Sequence, residues 1–156
     1  MLYSQFFVNE DRYVLPIRDI VKIAHYVALK PIPLLPDYIA GLMNYHGCVI
    51  PVVDVCQLLV SRPSRKKLST RIIIVELKDD NGMWMSLGLV VEKSTEVIMV
   101  EEHLFDRSPV NNPESLIIGP VAIVNGYLIT KISVQAIFDK VDSKLFSGTE
   151  AQVITK

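Results

Sequence analysis

The sequence predicts an all-β protein made of two related subdomains. Three observations predict it: short Val- and Ile-rich runs recur between turn residues, Asn-Gly pairs stand between such runs, and a strand-to-helix corner is repeated without a gap. The 156 residues are 50% hydrophobic and 21% charged. That is enough apolar material to build a core and too much for a disordered chain.

The elements follow in order. Phe6-Phe7-Val8 and Tyr13-Val14-Leu15 flank the polar reversal Asn9 to Arg12, so the chain enters a sheet almost at once. The apolar run Cys48 to Val53 ends at Asp54, which caps a short helix with Val55, Leu58 and Leu59 facing inward until Pro63. The hydrophilic stretch Arg62 to Arg71 reads as a solvated linker. Ile72 to Leu77 and Met85 to Val91 form a hairpin closed by Asn81-Gly82, because a type I′ turn needs positive φ at both central residues. Trp84 beside that turn reads equally as an interface anchor or as a core or hairpin-capping residue. Val97 to Val100 is a further strand, and Arg107 to Ser115, with Pro109 and Pro113, is an exposed loop. Asn125-Gly126 closes Val121-Val124 onto Tyr127-Thr130. Ser133 then caps a helix whose Val134, Ile137, Phe138 and Val141 share one face.

The repeat aligns Gly47 to Leu59 with Gly126 to Phe138: glycine turn, apolar strand, N-cap, helical turn. A further glycine, Gly41 or Gly119, precedes each at nearly the same distance. Two subdomains of about 80 residues are expected, each large enough for a small barrel packed on its mate.

Several function classes are excluded. Lys and Arg total 16 against 17 Asp and Glu. This lacks the positive surplus that a nucleic-acid partner would require. The basic run Arg62, Arg65, Lys66, Lys67, Arg71 has no interleaved aromatic residues and reads as a solvated face, so a small-barrel nucleic-acid binder is the weaker alternative. Leu116 to Tyr127 is broken by Gly119, Pro120, Asn125 and Gly126, too short for a span of about 20 residues, so no membrane insertion is expected. The first residues carry no basic segment ahead of a long apolar one, and a cytoplasmic location follows as the default. His46, Cys48, Asp54 and Cys56 share parity along one stretch, but a capping Asp54 ends that parity, so no metal is expected and both cysteines are expected buried and inert. No nucleophile, metalloprotease or phosphate-loop motif surrounds His25, His46 or His103, so neither catalysis nor a cofactor is expected.

A longer succession of pieces carries a family resemblance. Tyr13-Val14-Leu15-Pro16-Ile17, Ile20-Val21-Lys22-Ile23, Pro31-Ile32-Pro33, and Pro36 through Gly41-Leu42-Met43-Asn44-Tyr45-His46-Gly47 to Asp54 resemble, in order and spacing, the CheW-like domain family of bacterial chemosensory adaptors. The likeness runs on through Thr70 to Val75, Gly88 to Glu92 and the second repeat, from Phe6 to about Phe146. It implies two intertwined five-stranded SH3-like β-barrels with short helices. As a single domain over 1–156, the expected subdomains are 13–69 and 70–142, with the N-terminal strand 3–8 completing a barrel. It implies an adaptor that couples a CheA-type histidine kinase to the cytoplasmic tips of chemoreceptors, admits self-association into CheW-like rings, and performs no catalysis. An accessory scaffold of a separate chemosensory pathway, controlling surface motility or a second messenger, is the alternative within the family.

A partner interface is expected at Ile20, Lys22, Ile23, Asn44, His46 and Gly47: Ile20 and Ile23 read equally as an apolar contact patch or as part of the first barrel's core, the turn Asn44, His46, Gly47 reads as a contact or as a structural reversal, and the resemblance puts the Lys22 and His46 positions toward partners. Two departures fall there. The family's usual Asn-Leu-Arg-Gly is Asn44-Tyr45-His46-Gly47, replacing a fixed cation by a titratable imidazole, and Lys22 replaces a usual acidic residue. A third, Ser133 for the usual Asp ahead of the second helix, keeps a capping oxygen.

Overall fold

The computed structural model describes residues 1–106 and 117–145. The chain starts as a hairpin, β1 (Leu2–Val8) and β2 (Asp11–Pro16), turning at Asn9-Glu10 with Asn9 at φ 56°. A single 3-10 turn leads into β3 (Ile20–His25), and a connection over 26–38 reaches β4 (Ile39–Tyr45) and β5 (Cys48–Asp54). Helix α1 (Val55–Val60) follows, then β6 (Arg71–Lys78), β7 (Trp84–Val91), β8 (Lys93–Met99), β9 (Ile118–Val124), β10 (Tyr127–Ile132) and helix α2 (Val134–Leu145). The loop expected over 107–115 lies outside the described residues.

Hydrogen bonding sorts the strands into two five-stranded sheets, in the orders β8-β1-β2-β10-β9 and β3-β6-β7-β5-β4. The second order maps onto the first strand by strand. In each sheet one contact is parallel (β2 with β10, β7 with β5) and the other three are antiparallel. The repeat therefore extends well beyond the corner visible in the sequence. It runs β1-β2-β3-β4-β5-α1 and then β6-β7-β8-β9-β10-α2.

Each repeat gives its first two strands to one sheet and its last three to the other. The repeats join in the connection between α1 and β6, whereas the chain changes sheet between Pro16 and Ile20, and again between Val91 and Lys93. This exchange is the expected intertwining, and it brings β1 into register with β8, more than 80 residues away (Leu2 opposite Met99).

Among the described residues the barrels do not close: no ladder joins β3 to β4 or β8 to β9. Closure requires the two edges to pair with each other, but the connecting segment takes the edge of β4 first. Lys30 and Leu42 exchange backbone hydrogen bonds of 2.9 and 2.8 Å, and Asp106 and Val121 do the same on β9.

Both faces of each sheet are covered, which explains uninterrupted apolar runs in place of alternating ones. Ile73 and Val75 of β6 join Phe6, Leu15, Val53 and Leu89 in a core shared by the two sheets, together with Val55 and Cys56 of α1 and Ile137, Phe138 and Val141 of α2. The alternate residues Ile72 and Ile74 pack outward with Ile50, Val52 and Val90. On the other sheet Tyr3, Val14 and Ile129 do the same.

Turn chemistry is mixed. Asn125-Gly126 has φ values of 52° and 82°, a type I′ turn as expected, and His46-Gly47 at 50° and 84° is its counterpart. Asn81-Gly82 closes the expected hairpin but not as a two-residue turn. Only Gly82 has positive φ, and the reversal spans 79–83 because Asp79 Oδ1 accepts from the backbone N–H groups of Asn81 and Met83. Both caps are in place: Asp54 accepts from Gln57 N, and Ser133 Oγ from Ala136 N.

The solvated linker over 62–71 is also corrected. Ser64 and Thr70 are buried, the first because Asp54 accepts from its backbone N at 2.8 Å and its hydroxyl at 2.5 Å. Arg62 reaches Glu92 through both guanidinium nitrogens at 2.9 and 2.8 Å. A polar segment is strapped down when its partners wait elsewhere in the chain, and composition alone does not report them.

Candidate functional site

β3 lies at one edge of its sheet, paired through β6 alone. A register shift between Ile20 and Lys22 alters the strand's face. Ile20 consequently packs half-buried against the shared core, while Val21, Lys22 and Ile23 are exposed. Val21 and Ile23 are 46% and 39% exposed, and with Val27 just beyond the strand they form an apolar strip carrying Lys22 and His25 as its polar members. A free edge with apolar side chains is a ready docking surface.

Asn44, His46 and Gly47 sit at the tip of the β4–β5 hairpin, all exposed. Asn44 Oδ1 accepts from Gly47 N at 2.9 Å, and the Tyr45 ring meets the His46 imidazole edge-on with centroids 4.4 Å apart. The turn is thus built before any partner arrives, and His46 projects from a left-handed backbone position that asparagine and histidine tolerate.

The structure does not merge these two groups into one ladder edge. β3 and β4 are opposite edges of their sheet, with β6, β7 and β5 between them. Each group is a separate candidate surface.

A third surface, an apolar one, went unread in the sequence. Ile123 and Leu128 face each other across the β9–β10 hairpin and are 68% and 60% exposed. Beside them the Arg12 guanidinium lies 3.8 Å from the centroid of the Tyr127 ring. The repeat supplied the signal, since the same alignment sets Ile123 against Asn44 and Leu128 against Val49. The two hairpin tips have the same backbone and different chemistry.

Trp84 is neither core nor isolated. It is exposed at the end of the β6–β7 hairpin, with Lys78 Nζ 5.3 Å from its ring centre. The cysteines divide. Cys56 is buried, and burial pushes its thiol pKa up, whereas Cys48 is exposed. The expectation of two buried thiols fails for Cys48 because it is the first residue after the His46-Gly47 turn, beyond the reach of the apolar cover. Cys48 should therefore react with a small disulfide reagent in seconds to minutes in the native protein, and Cys56 only after unfolding. Two fast equivalents, or none, would contradict the placement.

The family model of the CheW-like domain matches residues 3–142. The chain belongs to the CheW-like domain family. Among the relatives of this CheW-like chain, "Chemotaxis protein CheW" of Bacillus subtilis is 26% identical over 141 residues, covering 89% of this chain and 87% of that protein. The protein of the same name from Helicobacter pylori is 23% identical over 137 residues, covering 86% and 79%. A crystal structure of the scaffolding protein TtCheW from Thermoanaerobacter tengcongensis superposes with a TM-score of 0.74 at 28% identity, over 85% of this chain and 84% of that one. The CheW-like fold thus accounts for both sheets and their exchange of strands. No helix among the described residues is long and apolar enough to cross a membrane.

Proposed function

We propose that this CheW-like protein is a chemosensory adaptor that couples a CheA-type histidine kinase to the cytoplasmic tips of chemoreceptors, acting in the cytoplasm by binding and not by catalysis. The observation that carries this reading is the strand-exchanged pair of sheets, shared over nearly the whole chain with a protein described as a scaffold. Sheets that share a core hold their exposed edges at a fixed separation, which is what coupling two partners in register requires. The β3 edge with Ile20, Lys22 and Ile23 serves one partner, and the turn Asn44, His46, Gly47 serves another. Co-precipitation from the native cell extract tests the reading. A CheA-type kinase and chemoreceptors should be recovered together, and recovery of neither would reject it.

Lys22 supplies the partner choice. It is exposed on β3 and carries a positive charge where the family usually has a negative one. A rim charge pair contributes at most about 1 kcal/mol to the right complex, while a like-charge clash in a wrong one costs more. Lys22→Glu should weaken binding to the cognate kinase domain and strengthen binding to one from an ordinary chemotaxis pathway, with an unchanged melting temperature. Calorimetry giving equal affinities before and after the substitution would reduce Lys22 to a solvated strand residue.

A further inference from the structure

The segment between α1 and β6 ends in a small turn presenting Leu68, which is 97% exposed. An exposed leucine on a mobile loop means little, but this turn is built. Thr70 is 1% exposed. Its hydroxyl accepts from Lys67 N at 2.9 Å and donates to the Arg65 carbonyl at 2.5 Å. Arg71 donates to the Leu68 carbonyl at 2.5 Å, and Ser69 Oγ donates to the Glu92 carbonyl at 3.0 Å. Leu68 is held out to solvent by a framework that already bears its ordering cost.

Beside the turn lies a cleft of about 500 Å³ lined by His25, Tyr26, Lys66, Lys67, Leu68 and Thr70. No carboxylate is among these residues. Arg65, Lys67 and Lys93 line a second hollow with Glu10 and Glu92, which shares Lys67 with the first, and Glu92 is already paired with Arg62. Both hollows at the turn therefore carry positive charge, in a chain whose net charge is -1.

We propose that this turn and its cleft form a docking site for an acidic, amphipathic segment of a partner protein, whose carboxylates pair with Lys66 and Lys67 while an apolar socket receives Leu68. Charge complementarity selects the occupant. A single-stranded nucleic acid would need an open aromatic face, and the Tyr26 ring already has Lys66 Nζ 5.7 Å from its centre. A bilayer would gain only one inserted side chain. The site touches the β3 edge only at His25 and goes beyond the kinase and receptor reading.

Fluorescence anisotropy on the full chain tests it without any kinase, so failure here leaves the adaptor reading standing. The probe is a labelled helical peptide of Leu-Glu-Glu-Ala repeats, alongside its Lys-for-Glu counterpart, a single-stranded DNA and phosphatidylserine vesicles. The acidic peptide should bind in a salt-sensitive manner. K66E/K67E should weaken it about tenfold or more and Leu68→Ser about fivefold, with melting temperatures unchanged because all three side chains are exposed. Equal binding by the variants, equal binding of the Lys peptide, or tighter binding of DNA or vesicles would overturn the proposal.

Discussion

Gly41→Ala should lower the stability of the fold by about 3 kcal/mol or more, a large part of the total for a domain of this size. Gly41 lies where β4 shifts register against β5, at φ 148°. A Cβ built there would stand 2.5 Å from the Lys30 carbonyl oxygen and 3.0 Å from its carbon. Those backbone atoms cannot yield cheaply, because Lys30 is held by its paired hydrogen bonds to Leu42. Gly119, its counterpart in the other sheet, has 2.9 Å to the Lys131 carbonyl oxygen and should lose less. Gly47 meets nothing within 4 Å, and its φ of 84° alone should cost about 1 kcal/mol on substitution by alanine. Urea unfolding of the three variants reads this ranking. A Gly41 variant within 1 kcal/mol of the parent would mean that the bulge relaxes freely.

Glu92→Gln should remove about 2 kcal/mol and, with it, part of the acid sensitivity of the fold. The hydrogen bonds from Arg62, reinforced by Arg65 N at 2.6 Å, hold the Glu92 carboxyl down from its ordinary 4.5 to about 2. A carboxyl whose folded pKa lies below its unfolded one stabilises the fold fully above the unfolded value, and the contribution drains away as pH falls through the folded one. The window is therefore pH 4.5 down to about 2. Stability measured across it should fall more steeply in the parent than in Glu92→Gln, and the curves should converge at the acid end. Parallel curves would show that the Arg62 pair is solvated and contributes little.

The consequence reaches beyond one ion pair. Glu92 sits at Val91–Lys93, where the chain leaves one sheet for the other, and Arg62 also donates to Asn9 Oδ1 at 2.9 Å on the β1–β2 turn. The strap over 62–70 thus fastens the crossing between sheets, and the Leu68 turn shares its framework through Ser69 and Thr70.

What the sequence by itself determined is local. Apolar runs, capping residues and turn residues identified eight of the ten strands among the described residues, the starts of both helices and three of the hairpins, while β3 and β4 went unread, because each signal depends on a few neighbouring residues. The repeat and the resemblance, also carried by consecutive residues, led to the family and to an intertwined pair of five-stranded units. Tertiary structure decided everything that depends on distant partners. It put Cys48 outside and Cys56 inside, although both lie among valines. It turned the most hydrophilic stretch into a strap, since Asp54 and Glu92 stand 10 and 27 residues from the backbone N–H groups that they accept. It left the barrels open, because Lys30 and Asp106 occupy the edges that closure would have used. It also set the two candidate surfaces, around Lys22 and His46, on opposite edges of one sheet. Pattern along a chain records which face of a strand is buried, while strand order is set by pairings between segments up to 117 residues apart, such as Arg12 of β2 opposite Ile129 of β10, which no local period encodes.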